Sequence, residues 1–109
     1  MYDEMKAALL ACTAVPLTEY EWATRPKVDH GVFQIDFDAS NDTGDDLHQD
    51  TAKEGSLDVY TQGRKPDVWA AIEAILTEYC EASWYLSYEG IDQETRLLRR
   101  EYIFQTVEG

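Results

Sequence analysis

The most constraining feature of the sequence is an amphipathic pattern between residues 66 and 80. Apolar side chains recur there at helical spacing on one face: Val68, Ile72, Ile75, Leu76 and Tyr79. Pro66 suits the first turn of this helix, because its missing N–H would have no acceptor there. A helix with one apolar stripe must cover another element, so a layered fold around a single core is expected.

Weaker patterns predict a second helix and several strands. Residues 2–13 place a short apolar stripe at helical spacing, and residues 17–22 are expected to be briefly extended. Four further segments alternate between apolar and polar side chains, as half-buried strands do. They are residues 31–38, 55–62, 84–89 and 95–108.

This order of elements indicates the fold class. Strands with one polar face fit an antiparallel or mixed sheet that is covered on its other face. The sequence therefore predicts an α+β sandwich, with a mixed, mostly antiparallel sheet of four to five strands and two helices packed on one face. The 109 residues suffice for one core, so a single domain spanning residues 1–109 is expected.

The charge of the chain is strongly acidic. Nine basic residues against 22 acidic ones give a net charge of −13, which argues against a surface that neutralises nucleic-acid phosphates. Seven of the acids fall between Asp36 and Glu54, where Lys53 is the only base. This acidic loop, at about residues 38–54, is expected to be a long solvated loop or an extended hairpin arm.

The residues give no catalytic or metal-binding signature. Asp38, Ser40 and Asp42 begin like a calcium-binding EF-hand loop, but the glycine and the bidentate acid of that motif are missing. Weak divalent binding by the acid cluster stays open, and no dedicated metal site or cofactor is expected. Cys12 and Cys80 lie on or beside apolar helix faces, which favours free buried thiols. No enzymatic activity is predicted.

Three arginines, Arg96, Arg99 and Arg100, stand close together near the C-terminus. One interpretation is pairing with acids inside the chain. The other is a contact between subunits, in which these arginines meet the acidic loop of a neighbour. The candidate interface or lumen residues are therefore Asp42, Asp45, Asp46, Asp50, Arg96, Arg99 and Arg100. Trp69, beside the apolar stripe of its helix, is assigned equally to core or interface.

Several stretches resemble a known family along nearly the whole chain. They are MKAALLA (5–11), GVFQIDF (31–37), EGSLDVYTQGRKPDVWAAIEAIL (54–76) and LRREYIFQTVE (98–108). In this order they resemble the small tail-completion or tail-terminator proteins of long-tailed, siphovirus-type bacteriophages. An LDVYT-like strand, a short polar turn and an amphipathic helix are typical of that family.

The resemblance implies a structural virion protein, assembled in the host cytoplasm and located at the head-proximal end of the tail. Members form a ring, commonly a hexamer, that ends polymerisation of the tail tube and joins the tail to the head connector. The implied partners are other copies of the chain, the tube protein and the connector protein, with DNA passing through the lumen unbound. An acidic lumen would repel phosphate.

Two alternatives remain. One is a head–tail adaptor or neck protein of similar size, and the other is a small acidic protein that mimics DNA and inhibits a DNA-binding host protein. No apolar run approaches the roughly 20 residues of a membrane span, so no membrane partner is expected.

Overall fold

The computed structural model describes residues 2–20, 28–38 and 51–108. They form two helices and one five-stranded sheet, which confirms the predicted α+β class. The elements are α1 (Tyr2–Leu10), β1 (Leu17–Glu19), β2 (His30–Asp38), β3 (Thr51–Thr61), α2 (Pro66–Cys80), β4 (Trp84–Ile91) and β5 (Leu98–Glu108).

The sheet has the strand order β1-β2-β3-β5-β4. β1 runs parallel to β2, and every other neighbouring pair is antiparallel, so the sheet is mixed and mostly antiparallel as predicted. β3 and β5 pair without interruption from Thr51 opposite Glu108 to Thr61 opposite Leu98. β3 and β5 therefore form the centre of the sheet, and β1 and β4 are its two edges.

Both helices pack on one face of the sheet, here called the helix face. The buried side chains between the layers come from every element except β4: Met5, Leu9, Leu17, Phe33, Leu57, Val59, Ile72, Leu76, Tyr102 and Phe104. From β4, the half-buried Trp84 packs against them. Val68, Ile72 and Leu76 of the predicted α2 stripe are buried, which confirms the facing of this helix. Trp69 is 4 % exposed, so it belongs to the core.

One predicted facing is wrong. Simple alternation placed Tyr88 on the same face as Trp84 and Leu86. In the structure Leu86 lies opposite Tyr102, but the register then shifts and Tyr88 lies opposite Glu101. This irregularity turns Tyr88 to the other side of the sheet, here called the open face, because an extra residue in one strand reverses the alternation after it.

The acidic segment is partly strand. β2 continues to Asp38 and β3 begins at Thr51, four residues before the predicted start at residue 55. The early start is explained by pairing with β5, since residues 51–54 lie opposite residues 105–108. Asp42, Asp45, Asp46 and Asp50 lie outside the described residues.

Candidate assembly surfaces

The three arginines near the C-terminus do not form one surface. Arg96 precedes β5, is exposed, and has a φ of 65°. Arg99 lies opposite Tyr60 and Gly90 on the open face, whereas Arg100 lies opposite Val59 and Glu89 on the helix face. Successive strand residues point to opposite faces, so adjacent arginines in β5 are separated by the sheet itself.

Arg99 is held by acids of its own chain. Its Nε donates to Asp58 Oδ1 at 3.0 Å, and its Nη2 donates to Glu101 Oε2 at 3.3 Å. The ring of Tyr88 lies 5.2 Å from the guanidinium carbon. Burial raises the pKa of the Asp58 carboxyl, and the opposing attraction of Arg99 does not fully offset this effect. The pairing inside the chain therefore accounts for Arg99.

Arg100 lies between α2 and the sheet, with its side chain 15 % exposed. Its guanidinium carbon lies 4.2 Å from the ring centroid of Trp69 and 5.7 Å from that of Tyr102. Oxygens of Glu73 and Glu89 lie 3.6 and 3.7 Å from its nitrogens. Arg100 lies on the helix face among buried apolar side chains, and the rings of Trp69 and Tyr102 together with two nearby carboxylates accommodate its charge.

Other described basic side chains are also engaged with acids. Lys6 lies 2.9 Å from Glu19, and Arg64 lies 3.7 Å from Glu89. Lys65 pairs with Asp29, just before the first turn of α2. Because these cations are matched to acids of the same chain, they are not available to hold a string of phosphates. The surface keeps the acidic character that the net charge of −13 indicates.

The β4 edge, residues 84–91, is the most apolar exposed part of the described chain. Tyr85, at 59 %, and Tyr88, at 46 %, are exposed on the open face. Leu86, at 37 %, and Ile91, at 53 %, are exposed on the helix face, which α2 does not cover this far out. Among the described residues β4 pairs with β5 alone, so its other side presents unpaired backbone. Such an edge favours association with another strand.

The charge on the β4 edge is already neutralised. Its only charged residue is Glu89, which lies 3.7 Å from both Arg64 and Arg100. An edge strand that lacks lysine and proline has little protection against strand addition. The alternation at residues 84–89 predicts a strand but does not by itself indicate a surface for association. The signal that could have revealed it is the presence of large apolar side chains on both faces of one strand.

The opposite edge, β1, is short and also neutral. Glu19 accepts hydrogen bonds from Tyr2 at 2.7 Å and from Lys6 at 2.9 Å, which tie this edge to α1. Tyr20 follows directly, is 55 % exposed, and has a φ of 75°. In the described part of the chain β1 pairs with β2 alone. Both edges thus carry an internally paired acid, with several exposed apolar side chains along β4 and one exposed tyrosine, Tyr20, directly after β1.

The histidine and cysteine side chains, which could in principle be reactive or bind a metal, occupy structural positions in the described residues. His30 is buried at the start of β2, with its ring stacked on Tyr60 at 4.6 Å. Cys80 is buried against Met5, Cys12 is half-buried, and both thiols are free. No group of three potential metal ligands occurs within residues 2–20, 28–38 and 51–108. Neither of the two described helices has the length and apolar character to cross a bilayer.

Comparison with known proteins finds no family model that matches the chain and no curated protein that is significantly similar to it.

Proposed function

We propose that this chain is a structural protein of a long-tailed bacteriophage, which forms a ring on the head-proximal end of the tail tube. There it ends tube polymerisation and joins the tail to the head connector, while DNA passes through its lumen. The sequence resemblance over residues 54–76 and 98–108 suggests the role. The β4 edge, with apolar side chains and unpaired backbone, is the observation that carries an assembly function.

The electrostatics agree with a passage for DNA. Arg99 and Arg100, which face opposite sides of the sheet, are both engaged with carboxylates of the same chain. A ring built from such subunits would repel the duplex instead of gripping it. The acids Asp42, Asp45, Asp46 and Asp50, which lie outside the described residues, are proposed to line the lumen or the contact between subunits, and Arg96 is proposed for an intersubunit contact.

A DNA mimic is less well supported. A mimic needs acids that are free to imitate a track of phosphates. On the open face, however, Asp58 and Glu101 are both bound by Arg99. A head–tail adaptor would share the ring and the acidic surface, and it differs only in which virion protein it meets. The experiment below separates these roles.

The proposal is tested by polymerising purified tail-tube protein of the same phage with and without this chain. A terminator binds one end of each tube and narrows the distribution of tube lengths in negative-stain electron micrographs. An adaptor instead binds the connector ring and leaves tube lengths unchanged. A chain that binds neither assembly, but binds a host DNA-binding protein tightly at low salt, would overturn the proposal in favour of the mimic.

A further inference from the structure

We propose that the ring contact joins the two edges of the sheet, with β4 of one copy pairing antiparallel to β1 of the next. This inference rests on the proposed ring and names the two surfaces that build it. A closed ring requires a contact between two different patches on each subunit. β1 and β4 are the two different edges of the sheet, and within residues 2–20, 28–38 and 51–108 each has one side without a strand partner.

The strand directions permit this contact. β1 is parallel to β2, and the pairs β2–β3, β3–β5 and β5–β4 are all antiparallel. β1 and β4 therefore run in opposite directions within one sheet. If neighbouring copies are related by rotation about an axis roughly along the strands, β4 meets the neighbouring β1 antiparallel, which is the more stable pairing. The helices of all copies then lie on the same side of one continuous sheet.

The backbone groups on the two edges can be matched residue by residue. Gln105 N donates to Ser83 O, so Ser83 faces β5 and the N–H groups of Trp84 and Leu86 face away from it. On the other edge, Gly31 N donates to Pro16 O and Tyr20 N donates to Phe33 O. Alternation along β1 then turns the N–H groups of Leu17 and Glu19 outward.

Among the registers that pair outward residues with outward residues, one places all of β1 opposite the regular part of β4. Leu17 of one copy lies opposite Leu86 of the next, Thr18 lies opposite Tyr85, and Glu19 lies opposite Trp84. The facing is consistent, because Leu17 and Leu86 both lie on the helix face, and Thr18 and Tyr85 both lie on the open face. The lengths also agree. β1 has three residues, and the regular part of β4 before its register shift is Trp84–Leu86.

Charge favours a second copy at this position. Two chains of net charge −13 repel each other, so contact is favoured where the facing surfaces carry no unpaired acid. At the β4 edge Glu89 is paired with Arg64 and Arg100, and at the β1 edge Glu19 is paired with Lys6. The single acid of each edge strand, Glu19 in β1 and Glu89 in β4, is therefore paired within its own chain and leaves no unpaired carboxylate in either strand.

The test uses three aspartate variants with the same change in charge. Leu86→Asp places a carboxylate in the β4 edge, and Thr18→Asp places one in the β1 edge. Leu10→Asp is the control, since Leu10 is 49 % exposed at the end of α1 and belongs to neither edge strand. Assembly is measured by light scattering and native mass spectrometry, and circular dichroism checks that each variant is folded.

We expect the wild-type chain and Leu10→Asp to form the same ring. Each edge variant alone should associate at least about tenfold more weakly, because a charge would be buried in the new strand pair. A mixture of Leu86→Asp and Thr18→Asp should form dimers and nothing larger. Each such dimer joins the intact β4 of one chain to the intact β1 of the other, which also shows that both variants are folded.

Three outcomes would overturn the inference. Rings that persist in both edge variants would place the contact elsewhere and leave the proposed function standing. Loss of association in Leu86→Asp alone, with wild-type dimers instead of rings, would indicate a twofold contact between two β4 strands. A wild-type chain that stays monomeric with and without the tube protein would contradict both the edge contact and the proposed ring.

Discussion

The guanidinium of Arg100 lies 4.2 Å from the ring centroid of Trp69, and both residues are largely buried between α2 and the sheet. This stacking places a charged residue of β5 inside the core layer. A planar guanidinium stacks on an aromatic ring, whereas a lysine ammonium does not present such a plane.

We therefore expect Arg100→Lys to lower the free energy of unfolding by about 1–2 kcal/mol, although it keeps the charge. Urea unfolding followed by Trp fluorescence measures the effect. Arg96→Lys is the matched control, since Arg96 is exposed, and its effect should stay below about 0.5 kcal/mol. Equal stability of the two variants would show that the stacking contributes nothing.

Gly55 in β3 lies where the sheet leaves no space for a side chain. A Cβ there would come within 2.1 Å of the backbone oxygen of Gln34 and 2.7 Å of Phe104 Cζ. Gly55→Ala should lower the free energy of unfolding by about 2–3 kcal/mol, because backbone and a buried ring would both have to move.

Gly63 provides a comparison, because the loss of stability on substitution by alanine has a different cause there. It has a φ of 79° and open space around it, so Gly63→Ala should cost only about 1 kcal/mol, from backbone strain. Thermal unfolding of both variants shows which substitution destabilises the protein more. A smaller loss at Gly55 than at Gly63 would contradict the close approach of β2 and β3 at this position.

Glu19 should make stability depend on pH. The hydrogen bond from Lys6, together with that from Tyr2, holds the pKa of the Glu19 carboxyl below its usual value, although partial burial opposes this. A carboxyl with a lower pKa in the folded chain stabilises the fold above its unfolded pKa. That contribution is lost as the pH falls through the folded pKa.

Glu19→Gln should therefore be less stable than the wild type at pH 7, by about 1 kcal/mol, and the difference should shrink toward pH 3. Urea titrations at pH 7, 5 and 3 measure it. Glu4→Gln, an exposed substitution on α1, controls for removal of one negative charge. If the difference in the free energy of unfolding between Glu19→Gln and the wild type stays constant down to pH 3, ionisation of the Glu19 carboxyl does not contribute to stability.

The two free thiols should differ in reactivity. Burial raises the pKa of the Cys80 thiol to about 11, whereas Cys12 is half-buried near the end of α1. Since the thiolate is the reactive form, iodoacetamide at pH 8 should modify Cys12 first and Cys80 only after unfolding. Peptide mass spectrometry over a time course distinguishes the two sites. Equal rates in the folded chain would show that Cys80 is not in the core.

The elements with strong periodicity could be predicted from the sequence, and those decided by tertiary contacts could not. α2 was predictable because Val68, Ile72 and Leu76 repeat at helical spacing and are buried together. The facing of Tyr88 was not, because one register shift in β4 reverses the alternation without any glycine or proline to mark it.

For the candidate interface, too, local sequence patterns predicted some features and tertiary contacts decided the others. The sequence left open whether Arg99 and Arg100 pair with acids of their own chain or meet a neighbouring subunit. Strand geometry directs them to opposite faces of the sheet, where each pairs with acids of its own chain. The exposure of β4 depends on where α2 ends over the sheet. That is a property of packing between layers, which local patterns do not contain.

The most direct test of the proposed assembly function is native mass spectrometry of the 109-residue chain at low and high salt, alone and with the proposed partner, a tail-tube protein. We expect one closed species of defined copy number, six being common in the family that the sequence resembles, favoured by salt that screens the charge of −13. A chain that remains monomeric under all of these conditions would contradict a ring-forming protein of the tail.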